Sequence, residues 1–174
     1  MDDPRIPRII YFLMLAVGLF SWVRSYSLLP ERMASHFGFD GAPNGWMPKD
    51  SFFLVMSLML GLTLFISFVV PRIIAALPDN QINLPHKAYW LAPERRTNTF
   101  QFVCAQMSWF GCAILFVLLF GTSLAINANL SPDGRFDNNT MLKVMAAFLF
   151  LMIFWTVHFL RHFLRIPDDS STRP

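Results

Sequence analysis

The sequence LPERMASHFGFDGAPNGWMPK, residues 29–49, is a long polar stretch between two hydrophobic blocks. It contains one histidine, two acids, three glycines, three prolines and one tryptophan. Asp40-Gly41 and Asn44-Gly45 predict turns, because glycine adopts positive φ without steric cost. The segment before them, ERMASHF, can form one or two helical turns. We therefore expect residues 29–49 to form a compact, ordered loop rather than a flexible linker.

The hydrophobic blocks around this loop predict membrane helices. The chain is 55% hydrophobic and 14% charged, whereas soluble domains have about 25% charged residues. About 20 apolar residues in a helix span the hydrocarbon core of a bilayer. The sequence therefore predicts an all-α, polytopic membrane protein with an ordered loop between helices 1 and 2. Its four transmembrane helices form one bundle, residues 1–165, and cover about residues 9–29, 52–70, 100–126 and 141–163. Residues 166–174 are predicted to be a disordered tail.

The distribution of positive charge predicts the orientation. Nine of the 14 Lys and Arg residues lie at the two ends of the chain and in the loop between helices 2 and 3. Positive residues favour the cytoplasmic side, so both termini are expected in the cytoplasm of a bacterial inner membrane, with residues 29–49 outside. The net charge of +3 is too small and too scattered to indicate nucleic-acid binding. The bilayer is the expected partner, and the sequence leaves open whether the chain forms an oligomer.

The outer loop holds the candidate functional residues. Candidates for contact with a ligand or partner are Glu31, His36, Asp40, Asn44, Trp46 and Lys49. His36 and Asp40 are four residues apart and share a face if the segment is helical, which makes them weak candidates for metal ligands. A histidine that holds a turn together is the commoner arrangement, a ligand contact comes second, and metal or acid–base chemistry third. No catalytic motif or cofactor motif is found.

No acid or base lies in the middle of a hydrophobic block, which argues against an ion-coupled transporter. Small residues four positions apart predict close helix contacts. They are Ser57 and Gly61 in the second block, and Cys104, Ser108 and Cys112 in the third. Helix packing explains the two cysteines better than a redox or metal pair does.

The loop between helices 2 and 3 contains LPDNQINLPHKAYWLAPERRTN, residues 77–98, whose three prolines exclude one continuous helix. Its aromatic residues, Trp90 among them, are expected at headgroup depth. His158 and His162 are four apart near the end of the fourth block, and a basic, aromatic helix end at a membrane surface explains them more simply than a metal site.

The outer loop resembles the signature of a bacterial membrane family of unknown function whose domain also occurs in SdpI-like toxin-immunity proteins. The matching residues are Leu29-Pro30, His36-Phe37, Gly41, Pro43-Asn44-Gly45-Trp46 and Lys49. Residues 83–96, NLPHKAYWLAPERR, also resemble an inner-loop motif of short four-helix relatives, carried here by Pro85, Trp90 and Pro93. The resemblance covers about a third of the chain and implies no enzymatic activity. The chain is shorter than the larger immunity proteins, so immunity does not follow from the resemblance alone.

Three hypotheses of function follow from these patterns. The first is a non-enzymatic membrane protein whose outer loop recognises a peptide, a lipid headgroup or a protein partner, in toxin immunity or envelope signalling. The second is a small metal-dependent membrane enzyme using His36 with Glu31 and Asp40, joined by Asp133 or Asp137. The third is an accessory subunit of a larger complex, with the small-residue faces as partner contacts.

Overall fold

Four helices in the described part of the chain are long and apolar enough to cross a membrane, which confirms the predicted fold class. The computed structural model describes residues 3–166, so the predicted tail lies outside them apart from Ile166. The first and third spans are α1 (Arg5–Tyr26) and α5 (Pro93–Leu130), and the fourth is α6 (Asn138–Leu164). The second consists of α2 (Lys49–Leu64), a π-helical segment (Phe65–Val69) and α3 (Val70–Ala76).

The loop between α1 and α2 is a β-hairpin, not the expected helical turns. Strand β1 (Arg32–Phe37) pairs antiparallel with β2 (Pro43–Pro48). ERMASHF has residues that tolerate a helix, but local propensity is a weak preference that tertiary contacts override. Here pairing with β2 satisfies the backbone groups of β1. His36 and Asp40 therefore lie on a strand and in a turn, and do not share a helix face.

The second span continues past its predicted end at residue 70. A proline inside a helix removes a backbone donor and its ring collides with the preceding turn. The widened π-helical segment Phe65–Val69 directly precedes Pro71, and the chain then remains helical to Ala76. Pro71 is buried and lies in the first turn of α3.

The core forms where α1, α2 and the π-helical segment pack on α5. Tyr11 is fully buried, and its hydroxyl shares a 2.8 Å hydrogen bond with the Thr63 hydroxyl. Gly111 permits the closest approach, because a Cβ there would lie 1.9 Å from Oγ of Ser67. Gly18 similarly makes room for Leu119. Glycines thus let these helices approach closely, as expected where lipid-embedded helices pack.

One of the two predicted small-residue contacts is present within the chain. Ser108 and Cys112 are buried, and Sγ of Cys112 lies 3.2 Å from the carbonyl oxygen of Pro7 on α1. Ser57 and Gly61 are exposed, and a Cβ on Gly61 would meet nothing within 4 Å. Ser57 and Gly61 therefore pack on no helix within the described residues, and contact with a helix of another chain stays a prediction.

Helix α6 lies at the side of this core and has no buried residue in its apolar window. It packs on α5, where the ring centres of Phe110 and Trp155 are 5.0 Å apart. Because α6 touches α5 along a narrow seam, the two sides of the seam form grooves against the rest of the protein.

The end of the bundle opposite the hairpin is closed by the short helix α4 (Lys87–Trp90) and by the start of α5. Trp90 is 8% exposed, and its indole nitrogen donates a 3.2 Å hydrogen bond to the carbonyl oxygen of Phe163. The ring of His162 stacks on both Trp90 and Phe102, with centroid distances of 4.8 and 3.7 Å. Trp90 is therefore buried among protein side chains, and its position at headgroup depth stays a prediction.

Candidate functional site

The hairpin closes through a tight turn that depends on Gly41. Its φ is +78°, a conformation that favours glycine. The amide of Gly38 donates to the carbonyl oxygen of Ala42 at 2.8 Å, and the Asp40 carboxylate accepts from the Ala42 amide at 3.0 Å. Asp40 thus stabilises the turn, in the usual manner of an aspartate that bonds to backbone two residues on.

Two irregularities in strand pairing shape the hairpin next to the turn. Ala34 faces Trp46, and His36 faces Gly45, which leaves Ser35 without a partner of its own across the sheet. The absence of a side chain at Gly45 gives the imidazole room, because a Cβ there would lie 3.1 Å from Cβ of His36. Such bulges redirect side chains and are common beside functional sites.

The hairpin is attached to the end of α5 by one side chain. Oδ1 of Asn129 accepts from the Ala34 amide at 2.7 Å, and its Nδ2 donates to the Ala34 carbonyl at 2.9 Å. The carboxamide thereby bonds to the backbone of Ala34 as the peptide group of a neighbouring strand would. Sequence analysis did not identify Asn129 as a candidate. Its position at the polar end of the third hydrophobic block was the one feature that could have indicated it.

The turn of the hairpin is also joined to the loop between α5 and α6. The Phe136 amide donates to the carbonyl oxygen of Gly41 at 2.9 Å, and Nδ2 of Asn138 donates to that of Gly38 at 2.7 Å. The rings of Phe37 and Phe136 stack with centroids 4.9 Å apart. The loop between α1 and α2 and the loop between α5 and α6 therefore form one folded cap, which confirms the expectation of an ordered loop between helices 1 and 2.

Two carboxylates order the second of these loops. The Ser131 hydroxyl lies 2.5 Å from the Asp133 carboxylate and lowers the pKa of that group. Asp137 caps α6 by accepting from the Thr140 amide at 3.0 Å, and hydrogen bonds from Thr140 lower its pKa. Both carboxylates act locally in the loop, and neither contributes a ligand beside His36.

Glu31 and Lys49 close the base of the hairpin. Their side chains form an ion pair of 2.9 Å, and the Lys49 amide donates to the Glu31 carbonyl oxygen at 2.9 Å. The Lys49 ammonium also lies 4.9 Å from the ring centre of Tyr26, whose hydroxyl bonds to the carboxylate of Asp50. These contacts give the two candidates a structural role at this end of the hairpin.

A cavity of about 420 Å³ lies below β1, between α2, α5 and α6. Ser35, His36 and Phe37 form its roof, and Phe52 and Met56 on α2 form part of one wall. The remaining lining residues are Val117, Leu118, Gly121, Thr122 and Ala125 of α5, with Phe136, Asn138 and Met141. The cavity is therefore largely apolar with a polar upper edge, the usual character of a ligand site.

His36 is the titratable side chain of this lining, and it has no hydrogen-bond partner among residues 3–166. The other polar side chains are engaged: Thr122 bonds to the Leu118 carbonyl at 2.7 Å, and Asn138 bonds to the hairpin. An imidazole can donate and accept. The exposed His36 thus retains hydrogen-bonding capacity for a ligand.

Three further exposed groups surround the hairpin. Trp46 is 53% exposed, and Asn44 is exposed beside it on β2. Phe39, which sequence analysis did not single out, is fully exposed at the turn. Large exposed aromatic side chains on a folded cap are suited to contact with a partner or with the membrane surface.

The six candidates do not converge on one centre. Glu31 and Lys49 lie at the base, Asp40 lies in the turn, and His36 lines the cavity. Residues 3–166 contain no group of three or more His, Cys, Asp or Glu side chains placed to hold a metal ion. Of the inner-loop motif, Trp90 anchors α4, Pro85 precedes the left-handed residue His86, and Pro93 begins α5. These three residues therefore have structural roles at the end of the bundle opposite the hairpin.

A family model described as "Domain of unknown function (DUF1648)" matches residues 9–61. The match covers most of α1, the whole hairpin and most of α2, and so includes all six outer candidates. No curated protein and no solved structure matches the chain. The four apolar helices and this domain indicate a multi-pass membrane protein of an uncharacterised family.

Proposed function

We propose that this chain is a non-enzymatic membrane protein whose outer hairpin recognises an amphiphilic peptide arriving from outside the cell. The observation that carries the proposal is the 420 Å³ cavity roofed by His36 and Phe37. An apolar side chain of such a peptide enters the cavity, and a polar group beside it bonds to His36.

The exposed aromatics support a peptide as the ligand. Trp46 and Phe39 extend the contact area beyond the cavity, and aromatic residues are enriched at recognition surfaces. The resemblance to SdpI-like immunity proteins is consistent with a membrane-active peptide toxin as the ligand. Toxin immunity at a bacterial inner membrane is accordingly the biological role we propose, with envelope signalling as the related alternative.

Photo-crosslinking in living cells tests this proposal directly. A photoreactive phenylalanine analogue is placed at Phe39 or Trp46, where it keeps an aromatic ring and leaves His36 in place, and at exposed Leu62 on α2 as the control. Cells are challenged with the sporulation-delay toxin peptide. We expect a covalent adduct of that peptide at the two hairpin positions and none at Leu62. Lipid adducts alone, or equal adducts at all three positions, would contradict peptide recognition.

Survival of the same cells provides the functional measurement. Cells expressing the wild-type chain should survive the peptide better than cells without it, and the pair His36→Ala and Trp46→Ala should remove that advantage. Expression level in the membrane fraction is measured for every variant. Unchanged survival of cells with the double variant would contradict a role of the hairpin in protection against the peptide.

Orientation is tested separately, because the peptide must reach the hairpin from outside. We propose that both termini are cytoplasmic, on the basis of the Lys and Arg distribution. A phosphatase that is active only outside the cytoplasm, inserted after Asn44, should then be active. A cytoplasm-specific reporter that is active at this position would reverse the orientation.

A further inference from the structure

Strand β2 has a free edge, whereas the opposite edge of the hairpin is occupied. Both backbone groups of Ala34 on β1 bond to the carboxamide of Asn129, at 2.7 and 2.9 Å, and therefore face away from β2. In an antiparallel ladder, the two residues of such a pair both direct their N–H and C=O groups away from each other. Ala34 lies opposite Trp46. The N–H and C=O groups of Trp46 therefore face the free edge of β2.

A contact at the base of the hairpin agrees with this alternation. The Lys49 amide donates to the Glu31 carbonyl oxygen at 2.9 Å, so these two residues bond to each other across the ladder. Bonded pairs and outward-facing pairs alternate along antiparallel strands. Three positions further along each strand, Ala34 and Trp46 fall in the outward-facing class. Among residues 3–166, no bond to the outward-facing backbone groups of Trp46 is found.

The exposure of β2 shows that this strand lies at the surface of the cap. Asn44, Trp46 and Pro48 are exposed and alternate with partly buried residues. Strand β1 packs on α5 and α2, whereas β2 packs on β1 and on the adjoining α2. Unpaired backbone groups along an exposed edge strand form a template for another strand.

The hairpin lies across the end of the helical bundle. Its base joins α1 to α2, Ala34 bonds to the end of α5, and its turn bonds to the loop before α6. The strands thus cross the bundle end and run along the membrane surface. Copies of one chain inserted the same way in a bilayer hold their β2 edges at the same depth. A two-fold axis along the membrane normal then places two β2 strands side by side and antiparallel.

We propose that two copies of the chain pair through their β2 edges, with Trp46 of each copy at the two-fold axis. Each Trp46 N–H donates to the Trp46 carbonyl oxygen of the other copy. The two indole rings lie side by side on the exposed face, and aromatic cross-strand pairs of this kind stabilise sheets. This inference goes beyond the proposed function, because β2 contributes no residue to the lining of the cavity below β1.

The prolines of β2 limit the pairing to a short segment. Pro43 and Pro48 lack the N–H groups that a longer ladder needs, whereas a pair centred on Trp46 requires the donor of that residue alone. Two-fold pairing occupies the edge in both copies and so closes the assembly at two chains. An extended peptide can use the same edge. The second copy is favoured because the membrane holds two identical, self-complementary edges at one depth.

Disulfide crosslinking of the full chain in membranes tests the pairing. Trp46→Cys places a thiol at the axis, where opposed Cα atoms lie about 5.5 Å apart, a distance that a disulfide spans. We expect a covalent dimer after mild oxidation. Phe39→Cys is the matched control, because this exposed turn residue lies at least about 20 Å from its counterpart in the pair. The wild-type chain, whose Cys104 and Cys112 lie within α5, gives the background.

Two further variants separate backbone pairing from contact through the indole ring. Trp46→Pro removes an N–H that the hairpin itself does not use, whereas Trp46→Thr keeps the backbone donor and favours a strand. Energy transfer between labelled copies in liposomes, at decreasing protein density, measures dimerisation. Trp46→Pro should weaken it at least about tenfold, and Trp46→Thr should retain it. Unchanged amide exchange at Ala34 in both variants would show that the hairpin is intact.

Three outcomes would overturn the pairing. The first is equal crosslinking at positions 46 and 39, or none at position 46. The second is equal weakening of dimerisation by Trp46→Pro and Trp46→Thr, which would assign the contact to the ring. The third is a wild-type chain that stays monomeric at every density and whose Trp46 amide becomes protected from exchange only when the toxin peptide is added. That result would assign the edge to an extended peptide.

Discussion

A loop that carries a tryptophan packs at each end of α5, and the two tryptophans differ in exposure and in how their loops are attached. At the α4 end, Trp90 is 8% exposed and is fixed by stacking and by its indole hydrogen bond. At the hairpin end, Trp46 is 53% exposed, and the hairpin that carries it is held through backbone groups. Attachment through the backbone leaves side chains unengaged. The hairpin can therefore be rigid and still expose aromatic side chains.

The largest effect should come from the inner tryptophan. Trp90→Ala removes a buried aromatic side chain, its stacking on His162 and its hydrogen bond to Phe163. We expect a loss of about 3 kcal/mol in the free energy of unfolding. Trp46→Ala should change it by less than about 0.5 kcal/mol, as exposed substitutions usually do. Denaturant unfolding in detergent micelles measures both, and equal losses would contradict the contrast between the ends.

The junction of the two outer loops should be the next most sensitive point. Gly41→Val places a Cβ 2.5 Å from the Phe136 carbonyl oxygen at a φ of +78°. We expect a loss of about 2 kcal/mol, since a strained backbone of this kind costs about 1–3 kcal/mol. Gly61→Ala is the control, because space around Gly61 is open and alanine favours helix. Faster proteolysis of the hairpin in the Gly41 variant alone would locate the damage.

A smaller loss is expected at the attachment of the hairpin to α5. Asn129→Ala leaves the amide and carbonyl of Ala34 without their partner, which should cost about 1–2 kcal/mol. Asn127→Ala, an exposed position on the same helix, is the matched control. Amide exchange at Ala34 should increase in the first variant and remain unchanged in the second. Unchanged exchange in both would show that strand pairing alone holds β1.

The smallest effect concerns pH and should be confined to the outer end. The pKa values of Asp133 and Asp137 are lowered by their hydrogen bonds. Their stabilisation is therefore present above the usual pKa of about 4 and is lost as pH falls through the lowered values. Protection of the Thr140 amide against exchange should stay constant above about pH 4 and decrease only as pH falls below that value. Asp137→Asn should abolish this pH dependence, and equal loss at the Tyr89 amide would indicate general unfolding instead.

The membrane helices were predictable because each hydrophobic block is long enough to identify a span without knowledge of its neighbours. The hairpin was not, although Asp40-Gly41 and Asn44-Gly45 marked its turns. Residues 31–37 lack a regular alternation of polar and apolar side chains, and the strand depends on pairing with β2 and on Asn129, 95 residues away from Ala34 in sequence.

For the candidate residues, too, the location was predictable from the sequence, but the role of each side chain was not. The composition of residues 29–49 identified the polar loop, and all six candidates lie on the hairpin or at its base. Their roles depend on distances that sequence spacing does not contain: Glu31 meets Lys49 across the base, whereas Asp40 bonds to its own turn. The exposure of Phe39 and the attachment of Ala34 to Asn129 result from packing between distant segments. Neither could be deduced from local pattern alone.

The π-helical segment Phe65–Val69 acts as an inserted residue in the second span. One extra residue rotates everything that follows by about 100° around the helix axis, given 3.6 residues per turn. The parts of this span before and after the π-helical segment thus follow two different angular phases around the helix axis. A single deletion within 65–69 should restore one phase throughout, leaving the outer face intact while turning the inner face away from α5.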